Sequence, residues 1–131
     1  MRPRLRFALA AVGALLVGLA LRFLLTGLVA DVAGSVLYVV LVALLVAIVL
    51  PRLPAVTAAG IALAWSIAME QLQAAGVAAR LVELWPPFRL VVGSTFSWLD
   101  IGAYVLGAVA ATAVLIAVAP RREPDPLSSQ D

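Results

Sequence analysis

Residues 36–50 read VLYVVLVALLVAIVL and residues 51–54 read PRLP. The first stretch is an uninterrupted apolar run, and with Val32 and Ala33 it approaches the roughly 20 residues that an α-helix needs to cross about 30 Å of hydrocarbon. Pro51 and Pro54 stop it, because proline cannot continue a helix in its interior. Another apolar run starts at Ala55, so only four residues separate the two. Such spacing predicts a tight hairpin of two membrane-crossing helices.

Outward from the quoted run, three other apolar runs, the hairpin's second arm among them, complete the pattern. The third goes from Ala55 to about Leu72, and its far end carries Glu70 and Gln73. A fourth goes from about Ser97 to Ala119 and is ended by Pro120-Arg121-Arg122. The first goes from Phe7 to about Leu25, behind Arg2, Arg4 and Arg6, and is broken once by Arg22. A signal peptide is the alternative for that first run. However, the run is longer than the roughly 7–15 residues of a signal h-region, and no clean small-x-small cleavage site follows it. Arg22 falls late enough to snorkel to the far interface. Thr26–Ser35, with Asp31 and Gly34, is expected as a short polar break. The expected fold is all-α: one transmembrane domain over 1–119, with spans at about 7–25, 32–50, 55–73 and 97–119. The Pro- and Ser-rich remainder, 120–131, is expected as a disordered cytoplasmic tail.

Composition agrees with lipid as the solvent. The chain of 131 residues is 65% hydrophobic and 12% charged, where a soluble domain carries roughly 45–50% apolar and about 25% charged residues. Its nine basic residues are all Arg, which together with the abundance of Ala and Val indicates a high-GC bacterial genome. A net charge of +2 with Arg only at segment ends excludes a nucleic-acid reader. With no Cys and no His, disulfides, thiol nucleophiles and Ser-His-Asp chemistry are excluded. Two carboxylates without His or a third acid make a poor transition-metal site. No Gly-rich phosphate loop occurs. No metal and no cofactor is expected.

The positive-inside rule gives an orientation. Arg2, Arg4, Arg6, Arg52, Arg121 and Arg122 fall on one side of a four-span arrangement, and Arg22, Arg80 and Arg89 on the other. Both termini are then cytoplasmic, and the loop 74–96 faces outward from a bacterial inner membrane. This loop is strongly apolar for a linker. It is expected to hold a short interfacial helix at about Val77–Leu84, broken by Pro86-Pro87, and an extended return through Gly93. Trp85, Phe96 and Trp98 are the expected interfacial anchors, since amphipathic rings favour the headgroup level.

Polar residues concentrate between Met69 and Gly107. Glu70 and Gln73 are three apart and share one helix face; Asp100 and Tyr104 are four apart and share another. Antiparallel neighbours joined by a loop bring these outer ends together, with Arg89, and Arg80 or Arg22, as counter-charges. Glu70, Gln73, Arg89, Asp100 and Tyr104 are the candidate ligand-binding residues. Glu70 and Asp100 are the only acid–base pair available for catalysis, and no catalytic residue is assigned beyond them. Ser94, Thr95 and Ser97 act as nucleophiles only if one of those acids activates them. The small residues Gly13 and Gly18 on the first run, and Gly102, Ala103 and Gly107 on the fourth, point to helix packing. Trp65 and Met69 read as core or lipid-facing bulk.

Glu70-x-x-Gln73, the run Trp85-Pro86-Pro87-x-Arg89-Leu90-Val91-x-Gly93-x-Thr95-Phe96 and Asp100-x-x-x-Tyr104-x-x-Gly107 resemble an uncharacterised family of small bacterial inner-membrane proteins. That family is known only as a domain of unknown function. The resemblance extends from about Arg4 to about Ala119. More remotely, the acid-x-x-Gln, the loop Arg and the Asp opening the last span resemble VanZ-like proteins, which have four or five spans and include some linked to glycopeptide-antibiotic resistance. Tyr104 stands where those proteins often have Asn. The resemblance implies a bundle of about four helices and no reaction.

The expected function is that of a small cell-envelope membrane protein whose outer-leaflet polar site binds a lipid headgroup or cell-wall precursor. Three alternatives stand beside it. The polar groups clamp the loop onto the bundle; or the chain is an intramembrane enzyme on a lipid-linked substrate using Glu70 and Asp100; or it is a structural or assembly subunit contacting another membrane protein.

Overall fold

The computed structural model describes residues 2–88 and 98–121. Among them are five α-helices: α1 (Pro3–Leu24), α2 (Gly27–Val49), α3 (Ala55–Ala74), α4 (Val77–Leu84) and α5 (Trp98–Val118). A single 3₁₀ turn follows α4 at Pro86–Phe88. No strand occurs among the described residues.

Four of the helices, α1, α2, α3 and α5, are long and apolar enough to cross a membrane. At about 1.5 Å per residue, helices of this length reach about 30–35 Å. Their outer surfaces are apolar. In the most apolar stretch of each, only 11%, 28%, 28% and 22% of residues are buried within the bundle, in chain order. Phe23, Leu24, Val109 and Ile116 are all at least 65% exposed. A soluble monomer does not present so much contiguous apolar surface to water, so lipid covers it. The chain is a multi-pass membrane protein of the all-α class.

The helix ends follow local chemistry. Pro3 occupies the first turn of α1, where its missing N–H is one that has no helical partner anyway. The α2–α3 hairpin is closed by Leu53 N–H donating to the Leu50 carbonyl at 3.1 Å, and Ala58 N–H reaches the Pro54 carbonyl at 3.0 Å. Between α3 and α4 the chain turns through Gly76 at φ +75°, a left-handed conformation that a Cβ disfavours.

One expectation is corrected. Thr26–Ser35 is not a polar break: the chain is helical from Gly27 onward. Leu25 and Thr26 are extended, and Gly27 at φ +66° completes the reversal. A reversal this short frees Asp31, Gly34 and Ser35 to join α2. The expected tail beyond Arg121, and the return through Gly93, lie outside the described residues.

The most extensive packing joins α2 to α5 and to α1, followed by α3 to α5 and α3 to α2. α2 is therefore the central helix. Its buried face is Val39, Val40, Ala43, Leu44 and Ala47. The buried residues of α3 include Ala58, Ala62, Ser66 and Glu70, and those of α5 include Ala103, Gly107, Ala111 and Leu115. Each set is a row spaced by four and made largely of small side chains, which lets the helix backbones approach. The approach is closest at Gly107: a Cβ there would lie 2.9 Å from Val39 Cβ and 3.0 Å from the Val36 carbonyl oxygen. The other expected packing glycines differ. Gly13 and Gly102 have open space around them, and Gly18 makes only ordinary contact with Leu37.

Candidate functional site

The row of four on α3 leads directly to the site. Stepping from Ala58 through Ala62 and Ser66 keeps to the buried face, and the next step is Glu70. Its carboxylate is therefore carried into the bundle interior, leaving the residue 2% exposed. Ser66, one turn before it, is fully buried and donates to the Ala62 carbonyl at 2.8 Å, the local bond that a helical serine uses when no water is at hand.

On α5, Asp100 stands in the first turn and Tyr104 one turn further in. Tyr104 is buried, and its hydroxyl donates to Glu70 Oε2 at 3.0 Å. Ser35 of α2 donates to Asp100 Oδ1 at 3.3 Å. Trp65 of α3 donates its indole N–H to the Tyr38 hydroxyl, also of α2, at 3.1 Å. Each pair among α2, α3 and α5 is thus tied by a side-chain hydrogen bond. The Tyr104–Glu70 and Ser35–Asp100 bonds lie towards the end of the bundle where α3 finishes and α5 begins, and the Trp65–Tyr38 bond lies midway along α3 and α2.

A carboxylate in hydrocarbon is strongly unfavourable unless it is paired or hydrogen-bonded. Here the demand is met: among the described residues, no buried side-chain nitrogen or oxygen lacks a hydrogen-bond partner. Gln73 and Asp100 are half-buried, closer to the rim than Glu70. The cluster is graded in depth, with Glu70 and Tyr104 inside and Asp100, Ser35 and Gln73 towards the headgroup level.

Of the residues singled out in the sequence, Glu70, Asp100 and Tyr104 come together and Gln73 follows Glu70 by one turn. Trp85 and Trp98 are 56% and 79% exposed, beside this end of the bundle. Arg22 and Arg80 are exposed. Arg89 and Phe96, with Ser94, Thr95 and Ser97, lie outside the described residues. Sequence reasoning missed Ser35, Tyr38, Trp65 and Ser66. The first two were legible in principle: Ser35 and Tyr38 are three apart and lie on one side of a helix that is apolar from Val39 onward. Trp65 reads as bulk in the sequence, and its indole N–H is what carries the contact.

The family model described as Protein of unknown function (DUF2809) matches residues 24–108. The chain belongs to this family. The matched region takes in α2, α3, α4 and the first half of α5, and so every residue of the polar cluster and the close approach at Gly107. It is narrower than the expected extent from Arg4 to Ala119: α1, apart from Leu24, and the last turns of α5 lie outside it. For this DUF2809 chain, neither the curated proteins nor the solved structures give a match.

Proposed function

We propose that this DUF2809 protein serves the bacterial cell envelope by holding the headgroup of a lipid, or of a lipid-linked cell-wall precursor, at the polar end of α2, α3 and α5. The observation that carries the reading is the burial of Glu70, 2% exposed, against Tyr104 in a bundle whose buried core is mainly Ala, Val and Leu. Replacing such a pair by apolar residues of similar volume is often neutral or stabilising, so stability alone does not account for an acid there. Glu70 and Tyr104 form the floor, Asp100 and Gln73 the polar rim, and Arg89 supplies positive charge for an anionic group. Trp85, Phe96 and Trp98 hold the loop at headgroup level. The remote likeness to VanZ-like proteins supports an envelope role, and the positive-inside count supports an outward-facing site in the inner membrane with both termini cytoplasmic.

A second reading is favoured by one observation, the complete pairing of buried side-chain polar atoms among the described residues. In it the cluster is a clamp that fixes the order of α2, α3 and α5. Native mass spectrometry of protein extracted in mild detergent separates the two. Binding predicts a retained lipid that is lost in Arg89→Ala, Gln73→Ala and Asp100→Asn at unchanged melting temperature. If all three variants keep the same lipid complement, the headgroup site is wrong and the clamp remains.

A further inference from the structure

At the other end of the bundle, all four spans contribute to a half-open cavity of about 280 Å³. Its walls include Phe7 of α1, Ala47 of α2, Leu53 of the hairpin turn, Ala58 of α3, and Leu115 and Ala119 at the end of α5. These side chains are apolar, and backbone atoms at the helix ends supply the polar part of the lining. Its volume lies just under the roughly 300–1,000 Å³ of small-molecule sites, which suits part of one acyl chain rather than a whole lipid.

The charges flanking it in the sequence are mainly positive. Arg6 immediately precedes the wall residue Phe7, Arg52 lies between the wall residues Pro51 and Leu53, and Arg121 follows the wall residue Pro120. Arg2 and Arg4 extend the same end. The acids among the described residues, Asp31, Glu70, Glu83 and Asp100, all lie at or near the opposite end of their helices. Among the described residues this end carries five arginines and no carboxylate; in the sequence Arg122 follows, and then Glu123, Asp125 and Asp131, so arginines outnumber acids by six to three. Basic pockets between helices are where anionic headgroups bind, and Arg pairs with phosphate through two parallel hydrogen bonds.

We infer that this cavity is a site for an anionic phospholipid of the arginine-side leaflet, with the end of one acyl chain among Phe7, Ala58 and Leu115 and the phosphate on Arg52 and Arg121. The site is at the far end of the bundle from the Glu70–Tyr104 cluster and does not depend on what that cluster binds. Occupancy there ties α1 and the end of α5, which touch each other little directly, to the hairpin turn.

The test uses the full-length protein in nanodiscs of phosphatidylcholine doped with phosphatidylglycerol, followed by release into the gas phase and counting of retained lipid. Wild type is expected to retain phosphatidylglycerol at least tenfold over its share of the bilayer. Ala119→Phe, which fills the cavity, and Arg52→Gln with Arg121→Gln, which removes the headgroup partners, are each expected to abolish that enrichment. Arg22→Gln with Arg80→Gln, at the opposite end, is expected to leave it unchanged. Ala55→Leu, on the same wall, repeats the filling test if Ala119→Phe fails to fold by circular dichroism. Loss of enrichment in the arginine pair but not in either filled variant would mean surface attraction without a chain site, and would overturn the inference. Equal retention of phosphatidylcholine would overturn it as well.

Discussion

Tyr104 is the residue on which the polar cluster depends, because its hydroxyl donates to the buried acid Glu70. Interhelical hydrogen bonds in membrane proteins average about 0.6 kcal/mol and reach about 1.7. The upper end applies here, since Glu70 at 2% exposure cannot replace its lost donor with water. Tyr104→Phe is therefore expected to destabilise the protein by about 1–2 kcal/mol, read as a lower melting temperature in mild detergent. Val105→Ala, at a residue 49% exposed to lipid, is expected to change it far less. A cycle with Glu70→Gln isolates the coupling between the two side chains. Of this pair, the sequence displayed the residue types and their positions on helix faces. It did not display that Glu70, rather than Asp100, would be the acid Tyr104 reaches, because that depends on how far α3 slides along α5.

At the scale of the element, the contact between α2 and α5 is decided by a missing methyl group. Ser35 meets Asp100 and Val39 meets Gly107, so contacts advance in the same chain direction on both helices and the two run parallel. Gly107→Ala places a Cβ within 3.0 Å of Val39 Cβ and forces α2 and α5 apart, at about 1–3 kcal/mol. The same change at Gly60 or Gly102, where nothing lies within 4 Å, is expected to be neutral or mildly stabilising, because alanine is the better helix former by about 1 kcal/mol. Thermal melts of the three variants side by side check this; equal melting for all three would show that the close approach is not needed. The packing role of small residues on the last span was legible, but not which glycine carried it. Gly102 and Gly107 are five apart, about 140° around a helix at 3.6 residues per turn, so only one of them can face α2.

For the whole molecule, the four-span arrangement and the arginine count make one topological expectation. The native chain has no cysteine, so single cysteines report cleanly. A membrane-impermeant maleimide applied to intact cells is expected to label Ala75→Cys, in the turn after α3, and to leave Pro54→Cys, in the α2–α3 turn, unlabelled until the membrane is opened. The reverse pattern would invert the orientation and move the polar cluster to the cytoplasmic leaflet. The membrane-spanning character itself could be read directly from the runs around VLYVVLVALLVAIVL, PRLP and their neighbours. Hydrophobicity sums along a chain and needs no knowledge of what the chain touches. The helical start of α2 at Gly27 could not be read this way, because a two-residue reversal depends on backbone conformations that Gly27 permits and does not announce.

By itself, then, the sequence determined the solvent, the number of crossings, the hairpin at Pro51–Pro54 and the end of the bundle where acids and aromatics gather. All of these follow from local composition and from proline's missing N–H. Only the tertiary structure decided that Ser35 joins that polar end, that Trp65 bonds Tyr38 midway along α3 and α2, that Tyr104 serves Glu70, and that α2 is central. These are questions of helix rotation and register. They were answered by rows of small residues that let α2, α3 and α5 approach at one angle and one offset, and no single helix carries that information alone.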